Sequence, residues 1–343
     1  MAKSIKMLIR LPNHLGDCLM SQPAIKAFAE SNHDDEIHLL GPLWAKPIFD
    51  GIESYTYLPL AGKALHGSRA ISIQALLLRK YKFDAGILLT PSFSSALILF
   101  LAGVKNRYGY SGEGRSIFLN HSLAPIQSQN IHRSVKYFRL LEYLAGKKFP
   151  IVNPSLCISQ QNAQIARQIL IDAGMSANTP FIVIAPQAVA KSRRWGSDNY
   201  AALSRRIISE TSCSIILLGT ADEYPAGESV AIGAKKIINL CGKTNIATAA
   251  AVLSLARLFI GNDSGLAHLA AAVNIPLVVL SGAGNPIETS PLSDKKTVII
   301  KSELDCISCV KNRCPQKGDD FMKCMREITI DEVFSAAARH LGV

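Results

Sequence analysis

A lone carboxylate, a tight run of cations and a glycine-bracketed turn stand at three places in this 343-residue chain where a strand-like run gives way to a helix-like one. The first is Pro12-Asn-His-Leu-Gly-Asp-Cys18, which puts Asp17 at the carboxyl edge of the first strand, where α/β proteins bind ligands. A carboxylate there could meet a ligand, and it equally suits a helix cap facing free amides and the positive end of the dipole. The second is Pro186-Gln-Ala-Val-Ala-Lys-Ser-Arg-Arg-Trp195, whose Lys191, Arg193 and Arg194 could neutralise a diphosphate without a metal. A bare cluster of this kind can also be a solvated surface, but Trp195 beside it argues for a packed loop. The third is Gly261-Asn-Asp-Ser-Gly-Leu-Ala-His268, which opens an Ala-rich helix and offers amides at Ser264, Gly265 and Leu266 to a phosphate. It is neither GxGxxG nor a P-loop. Gly261 and Gly265 would let backbone approach a ligand, Asp263 or Ser264 could cap, and His268 reads as a ligand contact or a satisfied structural histidine.

A fourth cluster, Cys306-x2-Cys309-x4-Cys314-x9-Cys324, raises the question of tetrahedral zinc. It lacks paired CxxC knuckles, and reduced cysteines also pack as small apolar residues, so no metal is assigned to it.

The elements that must position these groups alternate between strand and helix along the whole chain, the pattern of parallel sheets covered by helices. In the first half strands are expected at Lys6 to Leu11, Glu36 to Leu40, Tyr55 to Leu58 and Asp84 to Thr90, with helices near Asp17 to Glu30, Ile71 to Lys80, Ser94 to Leu101 and His132 to Ala145. In the second half strands are expected at Phe181 to Ala185, Ser214 to Leu218, Lys236 to Leu240, Leu258 to Ile260, Pro276 to Leu280 and Thr297 to Lys301. Each half restarts with strand, polar loop and helix, so two Rossmann-like domains follow. A boundary belongs in the stretch from Lys147 to Asn178, where Phe149-Pro-Ile-Val-Asn-Pro154 leads into one helix and then the loop Gly174 to Pro180. The division expected is 1–155, 156–328 and a capped last helix, 329–343, beginning at the capping box Thr329-Ile-Asp-Glu332 and packing back toward the first domain.

With 48% apolar and 18% charged residues, the composition excludes disorder. No apolar run reaches the ~18 residues of a membrane span, and Met1 to Leu11 has no signal-peptide pattern, so a soluble cytoplasmic chain is expected. The net charge of +11 is uneven: residues 1–155 hold 18 basic and 10 acidic side chains (+8), and residues 156–343 hold 19 and 16 (+3). The first half is therefore the one expected to meet an anionic partner.

Leu15-Gly-Asp17 followed by Ser21-Gln-Pro23, the turn from Gly261 to His268, and the tail Cys306-x-x-Cys309, Cys314-Pro315, Cys324-Met325 together resemble the ADP-heptose:lipopolysaccharide heptosyltransferase family, more its type II branch than type I. Pro91-Ser-Phe-Ser-Ser-Ala96 and Arg107-Tyr-Gly-Tyr110 through Arg115 extend the resemblance over nearly the whole chain. It implies an α/β, GT-B fold, two Rossmann-like parallel-sheet domains facing across a cleft, with acceptor on the N-terminal and donor on the C-terminal one. It implies an inverting, metal-independent transfer of L-glycero-D-manno-heptose from ADP-heptose to the anionic inner core of lipopolysaccharide, with peripheral contact at the inner face of the cytoplasmic membrane and no cofactor. Asp17 matches the catalytic base, and Asn13, Arg107 and Arg115 fall on the acceptor side. Lys191, Arg193, Asp263, Ser264, Gly265, Leu266 and His268 fall on the donor side, with Glu223 where the family has a ribose-binding acid. The family's phosphate loop has a lysine where this chain has Arg193, with Lys191 two residues earlier, which leaves open which cation touches the diphosphate. A GT-B transferase for another nucleotide sugar is the alternative. A basic nucleic-acid-binding protein with a four-cysteine knuckle is more remote, because the N-terminal basic residues are scattered rather than interleaved with aromatics.

Overall fold

The computed structural model describes residues 4–60, 67–126, 131–176 and 179–343, so part of the loop expected at Gly174 to Pro180, residues 177–178, lies outside the described set. The chain divides into two compact units at Val152 and Asn153, inside the Pro-containing stretch and three residues before the boundary expected from sequence.

The first unit runs β1 (Lys6–Arg10), α1 (Leu15–Ser31), β2 (Glu36–Gly41), β3 (Tyr55–Pro59), α2 (Ser68–Arg79), β4 (Ala85–Leu88), α3 (Phe93–Leu101), β5 (Asn106–Tyr110), β6 (His121–Leu123) and α4 (Arg133–Ala145). Its strands pair in parallel in the order β3-β2-β1-β4-β5-β6. The second unit begins with α5 (Gln160–Asp172) and continues β7 (Phe181–Ala185), α6 (Ser197–Glu210), β8 (Ser214–Leu217), α7 (Tyr224–Ala231), β9 (Ile237–Asn239), α8 (Ile246–Leu255), β10 (Leu258–Asn262), α9 (Gly265–Ala272), β11 (Leu277–Leu280), α10 (Pro286–Thr289), β12 (Lys296–Ile299), α11 (Lys323–Arg326) and α12 (Ile330–Leu341). Its order, β12-β11-β10-β7-β8-β9, is the same topology. Both sheets are therefore of Rossmann type, and the α/β class expected from the alternating pattern is the class observed.

The central strands are apolar on both faces because helices cover both sides of a parallel sheet. Leu8 and Ile9 of β1, and Ile182 to Ile184 of β7, are wholly buried. The register sets Ile9 opposite Leu39 on one side and Ile87 on the other, so β1 is the axis of the first sheet as β7 is of the second. Two strands the sequence reading did not identify, β5 and β6, complete the first sheet at its edge, where Asn-Arg-Tyr-Gly-Tyr and His-Ser-Leu carry no continuous apolar run.

The last helix, α12, packs on α6 and on β10, β11 and β12 of the second unit. The reason lies in its apolar stripe, whose Val333, Phe334, Ala336 and Ala337 join the second unit's core beside Trp195 and Ile328. Its capping box is formed as expected: the Thr329 hydroxyl accepts from the Glu332 amide at 3.2 Å and the Glu332 carboxylate accepts from the Thr329 amide at 2.8 Å.

Candidate functional sites at two sheet edges

In each sheet the first and fourth strands of the unit lie side by side while their chains leave in opposite directions, which opens a crevice at their carboxyl ends. In the first unit the loops after β1 and β4 border a cavity of about 520 Å³. Asn13, His14 and Asp17 come from one side, Thr90 and Pro91 from the other, and Arg133, Lys136 and Tyr137 of α4 complete the wall. Asp17 is the single carboxylate of that lining, against the three cations Arg115, Arg133 and Lys136.

The geometry separates the two readings of Asp17. The N-cap position of α1 is His14, which makes no side-chain cap, and Asp17 lies in the first turn. Its Oδ1 instead accepts from Arg133 Nη1 at 2.9 Å, 116 residues away, with the carboxylate only 15% exposed. Burial first, and then the adjacent Asp17, push the Tyr137 phenol well above its ordinary pKa, so Tyr137 stays a neutral hydroxyl beside that carboxylate. Next to it, burial, then Asp17, push the Cys18 thiol up, so it remains protonated and donates to the Pro12 carbonyl at 3.2 Å. The nucleophile-like neighbour is thus held as a neutral thiol.

The other acceptor-side candidates divide. Asn13 lines the cavity, its amide oxygen accepting from the buried Arg10 guanidinium at 2.6 Å, while burial lowers Arg10 to about 10. Arg115 also lines the cavity, but its guanidinium is buried and donates to the carbonyls of Tyr110 at 2.7 Å and Ser111 at 3.0 Å, so it braces the wall. Arg107 is not brought to the cavity. It donates to the Val104 and Phe118 carbonyls, both at 2.6 Å, and lies over the Phe100 ring, because the turns on either side of β5, beside the edge strand β6, leave carbonyls that need donors. Arg133, Lys136 and Tyr137 are the cavity residues that sequence reasoning missed; the available signal was two cations and a tyrosine at i, i+3 and i+4 of one helix.

In the second unit the loops after β7 and β10 converge as their positions suggested. Asn262 is the buried joint: its side chain donates to the Pro186 carbonyl at 3.0 Å and accepts from the Trp195 amide and the Tyr200 hydroxyl, both at 3.1 Å. Trp195 is packed edge-on against Tyr200 and donates from its indole to Ile328, which explains an aromatic in this loop. The joint sets Arg193 beside Asp263, Nη1 to Oδ2 at 3.1 Å. Two buried polar atoms here, Arg193 Nε and Ser264 Oγ, have no hydrogen-bond partner, and Ser264 is the N-cap of α9 without a side-chain cap. A buried donor and hydroxyl left open in front of helix amides are what an anion would satisfy.

Lys191 is exposed and precedes Arg193 in a single 3-10 turn, and His268 is buried within α9, one turn behind Gly265 and Leu266. Glu223 is engaged as a cap: its Oε2 accepts from the Thr220 amide at 2.7 Å in a capping box. Gly261 answers to packing rather than to a ligand, since a Cβ there would fall 2.7 Å from the Phe259 ring and 3.1 Å from the Ala185 carbonyl. Gly284 bears on the site itself, because its Cβ would lie 2.0 Å from Asp263 Oδ2.

The cysteine segment braces the loops after β7 and β11. Ser308 and Val310 donate to the Gly282 and Ala283 carbonyls at 2.9 and 2.7 Å, and Ser192 donates from its amide to Asn312 at 3.2 Å and from its hydroxyl to Lys311. Burial, then the neighbouring Cys306, Cys309 and Cys314, push the Cys324 thiol up to about 11. Among the described residues no group of three or more His, Cys, Asp or Glu side chains is arranged to hold a metal.

Two Rossmann-type units, one edge holding a carboxylate among cations and the other an anion-ready helix start, define a transferase that handles a nucleotide-linked group. Residues 74–319 match glycosyltransferase family 9 (heptosyltransferase), and the chain belongs to that family. It is 28% identical to lipooligosaccharide heptosyltransferase 2 of Haemophilus influenzae, covering 95% of this chain and 96% of the relative. It is 29% identical to lipopolysaccharide heptosyltransferase 2 of Escherichia coli K12, covering 86% and 88%. Among solved structures, that of E. coli ADP-heptose lps heptosyltransferase II superposes with a TM-score of 0.81 at 25% identity and 98% coverage of both chains. A family 9 glycosyl transferase from Veillonella parvula superposes with a TM-score of 0.84 at 18% identity, covering 98% of this chain and 97% of that one. The protein is a glycosyltransferase.

Proposed function

We propose that this enzyme transfers L-glycero-D-manno-heptose from ADP-heptose to the inner core of lipopolysaccharide, with inversion at the anomeric carbon, as a heptosyltransferase of the second type. The observation that carries the reading is Asp17, the single carboxylate of the first unit's cavity, set among Arg115, Arg133 and Lys136. A base among cations suits an acceptor that brings both a hydroxyl to be deprotonated and negative charge to be held.

In the proposed reaction the acceptor hydroxyl oxygen bonds to the anomeric carbon on the face opposite the diphosphate, and the bond from that carbon to the diphosphate oxygen breaks. Asp17 takes the hydroxyl proton. ADP departs with the bond's electron pair, and its charge is met by Arg193, aided by Lys191, and by the amides of Ser264, Gly265 and Leu266 at the start of α9. Asn13 is assigned to the acceptor side as a cavity residue. On the donor side, Asp263 holds Arg193 in place, His268 supports α9 from within, and Glu223, capping the turn at Thr220, is left one carboxylate oxygen for a ribose hydroxyl. The place of action we assign is the cytoplasm, with peripheral contact at the inner face of the membrane that carries the acceptor. Among the described residues no helix is long and apolar enough to cross a membrane.

The reading is tested by calorimetric titration of ADP-heptose, ADP, and UDP- and GDP-linked sugars. Preference for the adenine series supports it. Equal or tighter binding of a UDP- or GDP-sugar favours a transferase of the same fold with another donor.

A further inference from the structure

We propose that the face formed by α2, α3 and the turn after them is a membrane-docking surface, by which the first unit lies on a bilayer carrying anionic headgroups. The proposal deepens the functional reading and rests on it in one respect, that the acceptor is lipid-anchored.

The two helices share one face of the first sheet. Ala75 and Leu78 of α2 and Ala96, Ile98 and Leu99 of α3 enter a single core over Leu8, Leu40 and Leu88 of the strands. That accounts for their inward sides, yet their outward sides are apolar too. On α2 the solvent stripe is Ile73, Leu76 and Leu77, with Leu76 69% exposed; on α3 it is Phe93, Phe100 and Leu101. Ile117, 75% exposed in the 3-10 turn Arg115–Phe118, continues the patch through Phe118, which packs on both Phe93 and Phe100. A helix that needs its apolar inner side for the core gains nothing in water from a second apolar side. Contiguous exposed apolar surface of this kind marks a binding face.

Charge selects the occupant. Residues 54–118, which span the patch, hold eight basic side chains and two acidic, a surplus of +6 out of the +8 of the first half. Arg69 and Lys80 extend the α2 stripe at either end, Arg79 and Lys82 flank it, and of the two acids Asp84 is held by Lys105 at 2.8 Å and Glu113 stands 3.6 Å from Arg115. Apolar side chains rimmed by Lys and Arg suit the headgroup boundary of an anionic leaflet. A second copy of this chain fits poorly, because a twofold contact would set basic rim against basic rim. The location serves the acceptor: Phe93 follows Pro91 of the cavity wall by two residues, and Ile117 follows Arg115 by two. A sugar core rooted in the bilayer would reach the cavity beside the same face.

The test is sedimentation of the full chain with acceptor-free vesicles, either phosphatidylcholine alone or with about one-third phosphatidylglycerol. The variants are Leu76→Asp with Leu77→Asp, Arg79→Glu with Lys80→Glu, and Ile117→Asp, the last covering the case in which an α2 variant fails to fold. ADP titration reports folding. Expected are binding by wild type to the anionic vesicles and at least about tenfold weaker binding by each folded variant, with ADP affinity unchanged. Wild type that ignores anionic vesicles, variants that bind like wild type, or a stable dimer that Leu76→Asp splits would each overturn it. Transfer to a deacylated acceptor in solution reports separately on the functional reading, because it needs no bilayer.

Discussion

The two sheets have the same strand order and the same crevice between their first and fourth strands, yet the chemistry at the two edges is opposite in kind. At the first edge a carboxylate is partnered across the fold by Arg133, in a cavity that also holds Arg115 and Lys136 and a Tyr137 phenol kept neutral by burial. At the second a carboxylate is buried behind an arginine, beside a buried hydroxyl without a hydrogen-bond partner and the start of a helix. Topology therefore supplies two equivalent places, and in the proposed reaction the residues of four short loops and one helix give one place the proton and the other the anion.

Removing the base should give the largest effect. Asp17→Asn is expected to lower turnover by about 10² to 10⁴ while ADP affinity stays within a few-fold, because the proposed base belongs to the first unit's cavity and the proposed anion site to the second unit. Steady-state kinetics with ADP calorimetry would show it; near-normal turnover would make Asp17 only the partner of Arg133. Next comes the anion site. Arg193→Ala should weaken ADP by roughly ten- to a hundredfold, from loss of a charge-assisted contact worth about 1.5 to 3 kcal/mol, and Lys191→Ala by less. The reverse order would give the phosphate to the lysine and fix the register of this loop differently.

The rigidity of the second edge can be probed at Gly284, where a methyl would strike Asp263. Gly284→Ala should push Asp263 off Arg193, weaken ADP by about tenfold and lower stability by about 1 to 3 kcal/mol, read by calorimetry and thermal unfolding. Activity independent of this substitution would mean that the pair is incidental.

Much of this was legible in sequence. Met7 to Ile9, Phe181 to Ala185 and Leu258 to Ile260 are apolar runs, which is why the segments carrying Asp17, Arg193 and Asp263 read as lying at sheet edges. The partners were not legible, for a physical reason: Arg133 meets Asp17 across 116 residues, and on its own helix it is one more cation on an amphipathic face. Arg107 misled for the complementary reason, since its neighbourhood in sequence is that of Arg115 while its guanidinium turns to the loop carbonyls beside an edge strand. Glu223 lies in the turn before α7 and Gly261 inside β10, where capping and close packing act on them locally and leave no mark in residue type.

Smaller effects compare the units as bodies. Each holds a histidine whose pKa burial lowers, His38 in the first and His340 in the second. A folded state that resists protonation keeps its full stability above the unfolded pKa near 6.5 and loses it as pH falls through that value. Thermal unfolding between neutral and mildly acidic pH should therefore show both units weakening, and His38→Gln should flatten the first unit's dependence alone. The smallest expected effect is that of a chelator. The four clustered cysteines are expected to act as packed thiols bracing the anion loops, so chelation should leave activity intact and metal analysis should find less than one equivalent of zinc. Stoichiometric zinc whose removal unfolds the second unit would make them ligands.

The most direct test of a divided site is product mass after incubating wild type and Asp17→Asn with ADP-heptose and a heptosyl-Kdo-lipid acceptor. The acceptor should gain one heptose with wild type and essentially none with the variant, while both bind ADP alike. An unmodified acceptor with wild type, or equal product from the variant, would contradict it.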